Sequence, residues 1–477
     1  MSDLPLILFG AFDRHNFGDL LLAEISASVL QHRPLVFAGL AERDLTAFGG
    51  RKVRSIAQVA LEWGEQSADV VHTGGEILTC SLYEAAVMLL SQEAAGQAIA
   101  CHDTDPVARQ AWSEEMLGVH QEVAYLVPRS LFRHPRQLRY FGIGGVELAT
   151  LPDSMRREVF ENLQHADRVW VRDRVTQVQL EQARIRTFVA PDPAAATARL
   201  CGSRIAGHRG VGEPAAVAAR FPRGYLAAQF SAEFGDDATL HEIGCQLQRI
   251  HTETGLGIVL FRAGAAPWHD DLDVYRRLLA ANPGLDAVLF RSLDLWDICA
   301  LLASAASYCG SSLHGRIVAE ACGRPAANLV RDTSRMTKQA AHALSWGYGS
   351  LPTVLAPADL ATGVIGILQE KTSAFDAHVE NLADLAIAAF TRAQLARASR
   401  VLAGKRRSSH PEVAELPWII AVDVLRKQTG ASVKWRPVGI DADQLTEIGP
   451  TEISQGFERH LFGICLLYTS PSPRDGL

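Results

Sequence analysis

The sequence has few of the residues that stabilise secreted domains or bind zinc. It contains eight cysteines in 477 residues, at positions 80, 101, 201, 245, 299, 309, 322 and 465, and no two of them form a C-x-x-C pair. This spacing argues against a disulfide framework and against a zinc site, and it is typical of reduced thiols in a cytoplasmic protein. We therefore expect no bound metal and a cytoplasmic location.

Long apolar runs and long basic runs are also missing. No uncharged stretch reaches the roughly 20 residues that a membrane helix needs, and the start of the chain, MSDLPLILFGAF, lacks the cationic segment of a signal peptide. The net charge is −7, so nucleic acid is not an expected partner. With 48% hydrophobic and 21% charged residues, the composition is typical of a globular α/β protein with two or three domains.

Apolar strands alternate with amphipathic helices along most of the chain. Residues 4–12, LPLILFGAF, form a near-continuous apolar run, which indicates a parallel strand covered on both faces. The later segments with strand character are Leu35–Phe37, Val70–Thr73, Tyr140–Ile143, Val169–Val171, Thr187–Val189, Tyr225–Phe230, Ile258–Arg262, Ala287–Phe290, Ser307–Cys309 and Ala326–Val330. Strands that alternate with helices favour a parallel, doubly wound sheet. The expected fold is therefore α/β, with two Rossmann-like doubly wound domains facing one another across a cleft, the arrangement called GT-B.

A change of pattern near residue 201 separates the two series of strands. Residues 201–223 carry several Gly and Pro and show no firm period, so we place the interdomain linker there. The expected domains are residues 1–205 and 222–356, followed by a helical extension at 357–465. The last residues, 466–477, read LLYTSPSPRDGL and are interpreted as a non-native tail.

One stretch, SYCGSSLHGRIVAEACGRPAANLV from Ser307 to Val330, predicts a strand, a Gly-Ser-Ser turn and a helix that opens near Leu313. The free amides and the dipole of a helix N-terminus attract anions, and ligands of open α/β sheets bind beyond the carboxyl ends of the strands. His314 lies in the first turn of this helix and is the best candidate for chemistry. The alternative is a hydrogen-bonded core histidine, because His314 also shares an apolar face with Ile317.

Four other strand ends carry small or ionisable residues. They are Asn16, Gly18 and Asp19 after the first strand, Gly74 and Gly75 after another, then Arg172 with Asp173, and Arg262. Most are weak signals alone, since Gly-Gly after a strand is usually a turn, Asp19 is usually a helix cap, and an Arg-Asp pair is usually structural. Arg262 is a stronger signal, because an arginine at the end of a central strand needs an anionic partner and its planar fork fits phosphate or carboxylate.

The order of these segments carries a family resemblance. NFGD, a strand ending in Gly-Gly, YFGIGG, VWVRDRVTQVQL, APDPAA and SSLHGRIVAEACGRP follow one another, and together they resemble the polysaccharide pyruvyl transferase family over about residues 5–332. The resemblance implies a GT-B-like fold and a bacterial, cytoplasmic transferase of exopolysaccharide and cell-envelope assembly. It also implies transfer of pyruvate from phosphoenolpyruvate onto two hydroxyls of a sugar, as a ketal. Glu76 and Ser312 depart from the family pattern, which more often has glycine and arginine at those places.

The resemblance implies a role for each candidate residue. His314 is expected to be the catalytic acid–base group. The co-substrate phosphoenolpyruvate is expected to bind at Arg262, Ser311, Ser312, Leu313 and Arg316, although Arg316 is predicted to face away from His314. The acceptor is expected to bind at Asn16, Gly18, Asp19, Gly74, Gly75 and Arg172. No separate cofactor is expected; the partners are the small-molecule donor and a lipid- or nucleotide-linked saccharide, and homo-oligomerisation is left open.

Two other functions stay open on sequence alone. The first is a GT-B glycosyltransferase or sugar-nucleotide epimerase acting on a UDP-sugar. In those enzymes a helix glutamate binds the nucleotide ribose, and Glu320, followed by Gly323 and Pro325, matches that pattern loosely. The second is a non-catalytic family member that binds a saccharide.

Overall fold

The computed structural model describes residues 5–349, 353–369 and 371–395. It contains two separate sheets. The strands of the first sheet, β1 to β8 in chain order, are Leu6–Phe9, Leu35–Gly39, Arg43–Asp44, Lys52–Ser55, Ser67–Gly75, His134–Ile143, Arg168–Val171 and Phe188–Val189. The strands of the second sheet, β9 to β14, are Tyr225–Gln229, Gly257–Leu260, Ala287–Leu289, Ser307–Gly310, Ala326–Leu329 and Val354–Leu355.

The helices connect these strands and cover the sheets. In chain order, α1 to α8 are Phe17–Leu30, Ile56–Trp63, Leu82–Met88, Gln92–His102, Pro106–Leu117, Asp153–Gln164, Arg174–Gln182 and Thr197–Arg209. Then α9 to α16 are Gly212–Arg220, Asp237–Thr254, Leu272–Ala281, Leu295–Ser304, Leu313–Ala321, Lys338–Trp346, Leu360–Gln369 and Ser373–Leu395. In the described part of the chain, none of these helices has the length and apolar character needed to cross a membrane.

Both sheets have the doubly wound topology predicted from the alternating pattern. The first has the strand order β3-β4-β2-β1-β5-β6-β7-β8 and the second β11-β10-β9-β12-β13-β14. All pairings are parallel except that of β3 with β4 at one edge. Strand β1, LILF, lies between β2 and β5 and is buried on both faces, as its unbroken apolar run predicts. The expected α/β fold with two Rossmann-like sheets is confirmed.

The two sheets share part of their core. One hydrophobic cluster contains Leu20 and Leu21 of α1, Trp296 of α12, Ile317 of α13 and Ala227 of β9. Hydrogen bonds also cross between the two halves: the Phe17 amide donates to the Ala263 carbonyl at 2.7 Å. Because α1 follows β1 and Ala263 follows β10, the carboxyl ends of the two sheets face one another.

The stretch that the sequence marked as an irregular linker, residues 201–223, is largely helical. It contains the end of α8 and all of α9. Cys201 and Ile205 of α8 are buried in the shared core, whereas an added Cβ at Gly202 or Gly207 would meet nothing within 4 Å. Burial of one helix face outweighed the low helix propensity of these exposed glycines.

Residues 82–102 form two helices, α3 and α4. Helix α3 ends at Met88, and the Ser91 hydroxyl starts α4 by accepting a hydrogen bond from the Ala94 amide. The short strands β3 and β4 had no apolar alternation and were not predicted. The proposed extension at 357–465 is helical as far as it is described, through α15 and α16, and the interpretation of residues 466–477 lies outside the described residues.

Candidate active site

Helix α13 begins in the way its sequence predicts. Strand β12 ends at Gly310, and the Ser312 hydroxyl caps the helix by accepting a hydrogen bond from the Gly315 amide at 3.1 Å. Ser312 is therefore a helix cap, and its side-chain oxygen already has a partner. The Tyr308 hydroxyl and the Asn328 side-chain amide both donate to the Ser312 carbonyl. These two hydrogen bonds fix the turn before α13.

The amides expected to hold the donor are partly occupied. The Ser311 amide donates to the Gln229 carbonyl at 3.0 Å, and the Ser312 amide donates to the Gln229 side-chain oxygen at 2.8 Å. Of the three expected amides, the described residues leave only that of Leu313 for a ligand. Gln229 is itself held by Asp270, which accepts a hydrogen bond from the Gln229 side-chain amide at 2.8 Å.

His314 lies against a buried carboxylate from the other half of the molecule. Its Nε2 is 3.3 Å from Oδ2 of Asp192, the side chain of His314 is 12% exposed, and that of Asp192 is completely buried. Burial alone would raise the pKa of Asp192, but the neighbouring His314 and Arg172 together lower it by more, so the pKa is below its ordinary value. Asp192 is therefore ionised at physiological pH.

Arg172 lies behind Asp192 and away from solvent. Its guanidinium contacts Oδ2 of Asp192 at 3.2 Å and Oε2 of Glu76 at 2.5 Å, and its side chain is only 2% exposed. Glu76 also accepts a hydrogen bond from the Val146 amide. The four groups form a continuous row from His314 through Asp192 and Arg172 to Glu76. The glutamate that departs from the family pattern therefore neutralises a buried arginine.

The start of α1 packs directly on the His314 ring. A Cβ at Gly18 would lie 1.9 Å from Nδ1 of His314, so only glycine fits there. Asn16, and not Asp19 as expected, caps this helix, because its side-chain oxygen accepts hydrogen bonds from the Gly18 and Asp19 amides at 3.0 and 3.4 Å. Asp19 instead lies 3.6 Å from Arg14. Both termini, of α1 and of α13, meet at His314.

Gly74 and Gly75 end strand β5 next to the start of α1. Their φ values are +58° and +84°, which L-residues other than glycine rarely adopt. A Cβ at Gly74 would lie 2.3 Å from the Leu22 side chain, and one at Gly75 would lie 3.2 Å from the Asp19 carboxylate. Both glycines are thus required by the backbone and by the close packing of α1.

Arg262 follows β10 and is half-buried. Burial lowers the pKa of its guanidinium, and the nearby Asp270 opposes this change. The hydrogen bonds and ion pairs of the described residues do not join Arg262 to His314. Its Nε atom is buried without a hydrogen-bond partner among the described residues, so the side chain has unused donor capacity.

The loop after β10 brings a second histidine to this region. Nε2 of His269 lies 3.4 Å from the side-chain nitrogen of Asn16. Burial, together with the nearby Arg14 and Lys338, lowers the pKa of His269 to about 3. The His269 ring is therefore neutral at physiological pH.

Arg316 lies on α13 and faces the second sheet. It is completely buried, and its guanidinium bonds to the Asn328 side chain at 2.7 Å and to Nδ1 of His342 at 2.8 Å, with Glu320 at 3.5 Å. These contacts place it on the far side of α13 from His314, as the helical spacing predicts. The structure brings together His314, Leu313, Gly18 and Asn16; it places Arg172 behind the site and Arg316 within the core.

Sequence reasoning missed three residues of this region. Asp192, Gln229 and His269 each contact a predicted site residue or its turn. Asp192 had a signal, since it lies in the APDPAA segment that carried the family resemblance. Gln229 is the last residue of β9 and His269 lies in the loop after β10, so only their neighbours in space mark them.

Part of this chain matches a known protein family. The family model described as Polysaccharide pyruvyl transferase matches residues 142–333. The expected family resemblance is confirmed. The matched range contains Arg172, Asp192, Arg262 and His314, whereas Asn16, Gly18 and the Gly74-Gly75 pair lie before it. A match to a transferase family supports an enzyme, and a transferase in particular.

Several solved structures match most of this chain at low sequence identity. HepE of Anabaena in complex with UDP-glucose is 12% identical and is matched over 83% of this chain and 99% of its own, with a TM-score of 0.46. S. aureus MnaA in a co-structure with UDP is 12% identical over 86% of this chain and 100% of its own, with a TM-score of 0.48. The UDP-GlcNAc 2-epimerase from Neisseria meningitidis bound to UDP-GlcNAc is 9% identical over 83% and 99%, with a TM-score of 0.45. Comparison with curated proteins found no match.

Proposed function

We propose that this protein transfers a pyruvyl group from phosphoenolpyruvate to two hydroxyls of a saccharide, forming a ketal and releasing phosphate. The observation that carries the proposal is the contact between His314 and the buried Asp192 carboxylate at 3.3 Å. It lies where the carboxyl ends of two parallel sheets meet, and both residues fall within the matched range 142–333. The proposed process is the assembly of a cell-surface polysaccharide, and the proposed location of this step is the cytoplasm.

The proposed reaction needs a proton donor at carbon. Protonation of the methylene carbon of phosphoenolpyruvate gives an oxocarbenium-like centre at C2, which one sugar hydroxyl attacks. A second hydroxyl then displaces phosphate from the same carbon, so the C–O bond to phosphate breaks and the ketal closes. The two sugar hydroxyls release two protons. One restores the proton that the acid gave to the methylene carbon, and the other leaves with phosphate. A positioned acid–base group typically contributes about 10²–10⁴-fold to such steps.

His314 is the proposed acid–base group and Asp192 is its positioning partner. The Asp192 carboxylate, 3.3 Å from Nε2, can fix the orientation of the ring. Arg172 holds Asp192 in place, since it contacts the same carboxylate at 3.2 Å. This assigns Arg172 a supporting role instead of direct contact with the acceptor.

The proposed donor site uses fewer groups than the sequence indicated. The Leu313 amide, at the positive end of the α13 dipole, and the half-buried guanidinium of Arg262 are the donors for the phosphate and carboxylate. Ser311, Ser312 and Arg316 instead shape the turn and the helix. The acceptor is proposed to approach from the side of Asn16, Asp19 and His269.

The UDP-sugar alternative depends on Glu320. Glu320, the residue that would bind a ribose, lies 3.5 Å from Arg316, and burial raises the pKa of its carboxyl. A thermal shift with UDP but not with phosphoenolpyruvate would favour that alternative. Saccharide binding without phosphate release would favour the non-catalytic one.

Substitution of His314 tests the proposal. Phosphate release from phosphoenolpyruvate is measured across a panel of lipid-linked and nucleotide-linked sugars, first with the wild type and then with His314→Ala. We expect a loss of at least about 100-fold, with an unchanged circular-dichroism spectrum and melting temperature. Asp192→Asn should also lose activity, because the amide cannot balance an imidazolium.

His32→Ala is the matched control, since His32 is exposed at the end of α1. It should leave both phosphate release and melting unchanged. If His314→Ala keeps activity within a few-fold of wild type, the catalytic role is wrong. If it unfolds, His314 is a core residue and the assignment passes to another group.

A further inference from the structure

Trp268 is an exposed tryptophan held in a strained backbone conformation. Its side chain is 47% exposed, and it is the only aromatic among the exposed large hydrophobic residues of the described chain. Its φ is +64°, a left-handed value that it shares with only one other non-glycine residue of the described chain, Arg184. Left-handed backbone at a bulky residue is costly, and it persists where the surrounding structure fixes it.

The loop around Trp268 is fixed by hydrogen bonds at both ends. The Asp270 carboxylate accepts a hydrogen bond from the Ala263 amide, and the His269 carbonyl accepts one from the Ala232 amide. The Ala265 amide donates to the His15 carbonyl in the other half of the molecule. The indole is therefore presented by a rigid loop, although burying it elsewhere would remove apolar surface from water.

Trp268 lies beside aromatic and charged residues of the first half. The ring centroid of Tyr83, at the start of α3, is 6.1 Å from that of Trp268. Trp112 contacts Tyr83 edge to face at 5.8 Å, and the Arg109 guanidinium lies 5.4 Å from the centre of the Tyr83 ring. The exposed indole offers a flat apolar face, which matches the apolar C–H face of a pyranose.

This aromatic surface continues into the proposed active site. His269, the next residue, contacts Asn16, and Asn16 caps the helix whose Gly18 packs on His314. A molecule lying on Trp268 is therefore next to the side from which the acceptor is proposed to approach. A small dianion such as phosphoenolpyruvate has no surface that would use the indole.

We infer that Trp268, backed by Tyr83, is the stacking platform for a pyranose ring of the acceptor saccharide. This inference rests on the proposed function for the identity of the ligand as the acceptor. It adds a binding residue, contributed by the loop after β10, and it predicts that affinity for the saccharide and affinity for the donor are separable.

Binding to the full-length protein tests the platform without turnover. Binding is measured by isothermal titration calorimetry with methyl glycosides of galactose, glucose, mannose and N-acetylmannosamine, for the wild type and for Trp268→Gly, which suits the left-handed backbone. At least one glycoside should bind the wild type, and this binding should disappear in Trp268→Gly. Trp268→Tyr should keep binding, since it restores an aromatic face.

Leu61→Ala is the control, because Leu61 is also an exposed hydrophobic residue, at 77%, but its side chain is aliphatic. It should bind glycosides like the wild type. If no glycoside binds the wild type, or if Trp268→Gly binds equally well, the platform is refuted whatever reaction the enzyme catalyses.

Turnover then separates this inference from the proposed function. With an active acceptor, Trp268→Gly should raise the KM for the saccharide about 3- to 10-fold and leave the KM for phosphoenolpyruvate unchanged. An equal rise in both KM values refutes the platform. Absence of phosphate release in the wild type refutes the proposed function, and the glycoside titration still decides the platform.

Discussion

At the scale of single residues, the candidate site depends on buried charges that neutralise one another. The His314 ring contacts Asp192, Asp192 contacts Arg172, and Arg172 contacts Glu76. Breaking a buried pair by removing one partner leaves an uncompensated charge, which typically costs about 3–5 kcal/mol. The row can therefore hold an imidazole in one orientation, and it tolerates few changes.

Asp270 provides a pH-dependent test at this scale. It is buried where it accepts hydrogen bonds from the Ala263 amide and from Gln229, and burial raises its pKa from 3.8 to about 7. The folded state thus binds a proton that the unfolded state releases, so this stabilisation is present below about pH 4 and is lost as the pH rises to about 7. The difference between the two pKa values corresponds to about 4 kcal/mol.

We expect the stability of wild type relative to Asp270→Asn to fall between pH 4 and pH 7, because asparagine does not titrate. Chemical denaturation across this range measures it. Glu42→Gln, at an exposed position, should give a curve parallel to wild type. A constant difference between wild type and Asp270→Asn would contradict the assigned pKa.

At the scale of elements, two helix N-termini meet at one ring. Helix α1 is capped by Asn16 and α13 by Ser312, and Gly18 allows the closest approach between them. Each helix begins directly after a central strand, so the strand positions fix the contact. Either helix alone would be an ordinary capped helix with an exposed first turn.

Gly18→Ala should uncouple these helices. The added Cβ would lie 1.9 Å from Nδ1 of His314, so the ring or α1 must move. We expect loss of activity comparable to that of His314→Ala, together with destabilisation of about 1–3 kcal/mol from overpacking. Phosphate release and thermal melting measure the two effects.

Gly202→Ala is the control for this prediction. Gly202 is also helical, with nothing within 4 Å of an added Cβ, so alanine should stabilise α8 by up to about 1 kcal/mol and leave activity unchanged. Wild-type activity in Gly18→Ala would mean that His314 need not lie where the structure places it.

At the scale of the whole molecule, the two sheets are held together by a shared core and by polar contacts across it. Trp296 of α12 is buried, and its indole N–H donates to the Gly49 carbonyl of the first half at 3.1 Å. Trp346 of α14 similarly donates to the Arg172 carbonyl at 2.7 Å. These contacts keep Asp192 and His314 next to each other, although the two residues come from different halves of the molecule.

Trp296→Ala should therefore weaken both sheets. Removing a buried aromatic typically costs about 3–5 kcal/mol, and the lost packing belongs to a core that both halves share. Hydrogen exchange followed by mass spectrometry should show faster exchange in β1 and in β9 together. Leu61→Ala should change neither. Faster exchange confined to β9 would show that the halves are stable independently.

The sequence by itself determined most of the strands, the parallel topology and the turn that presents His314, because apolar runs, glycine turns and helix caps are local signals. The family resemblance read from the same segments is confirmed for residues 142–333. Tertiary structure alone decided that residues 201–220 are mostly helical, that Arg316 is buried, and that Asp192 is the partner of His314. Asp192 and His314 are 122 positions apart in the chain, and no local pattern records a contact made only when two sheets face one another. The same reason applies to Trp268, whose sequence neighbours give no sign that Tyr83 lies beside it.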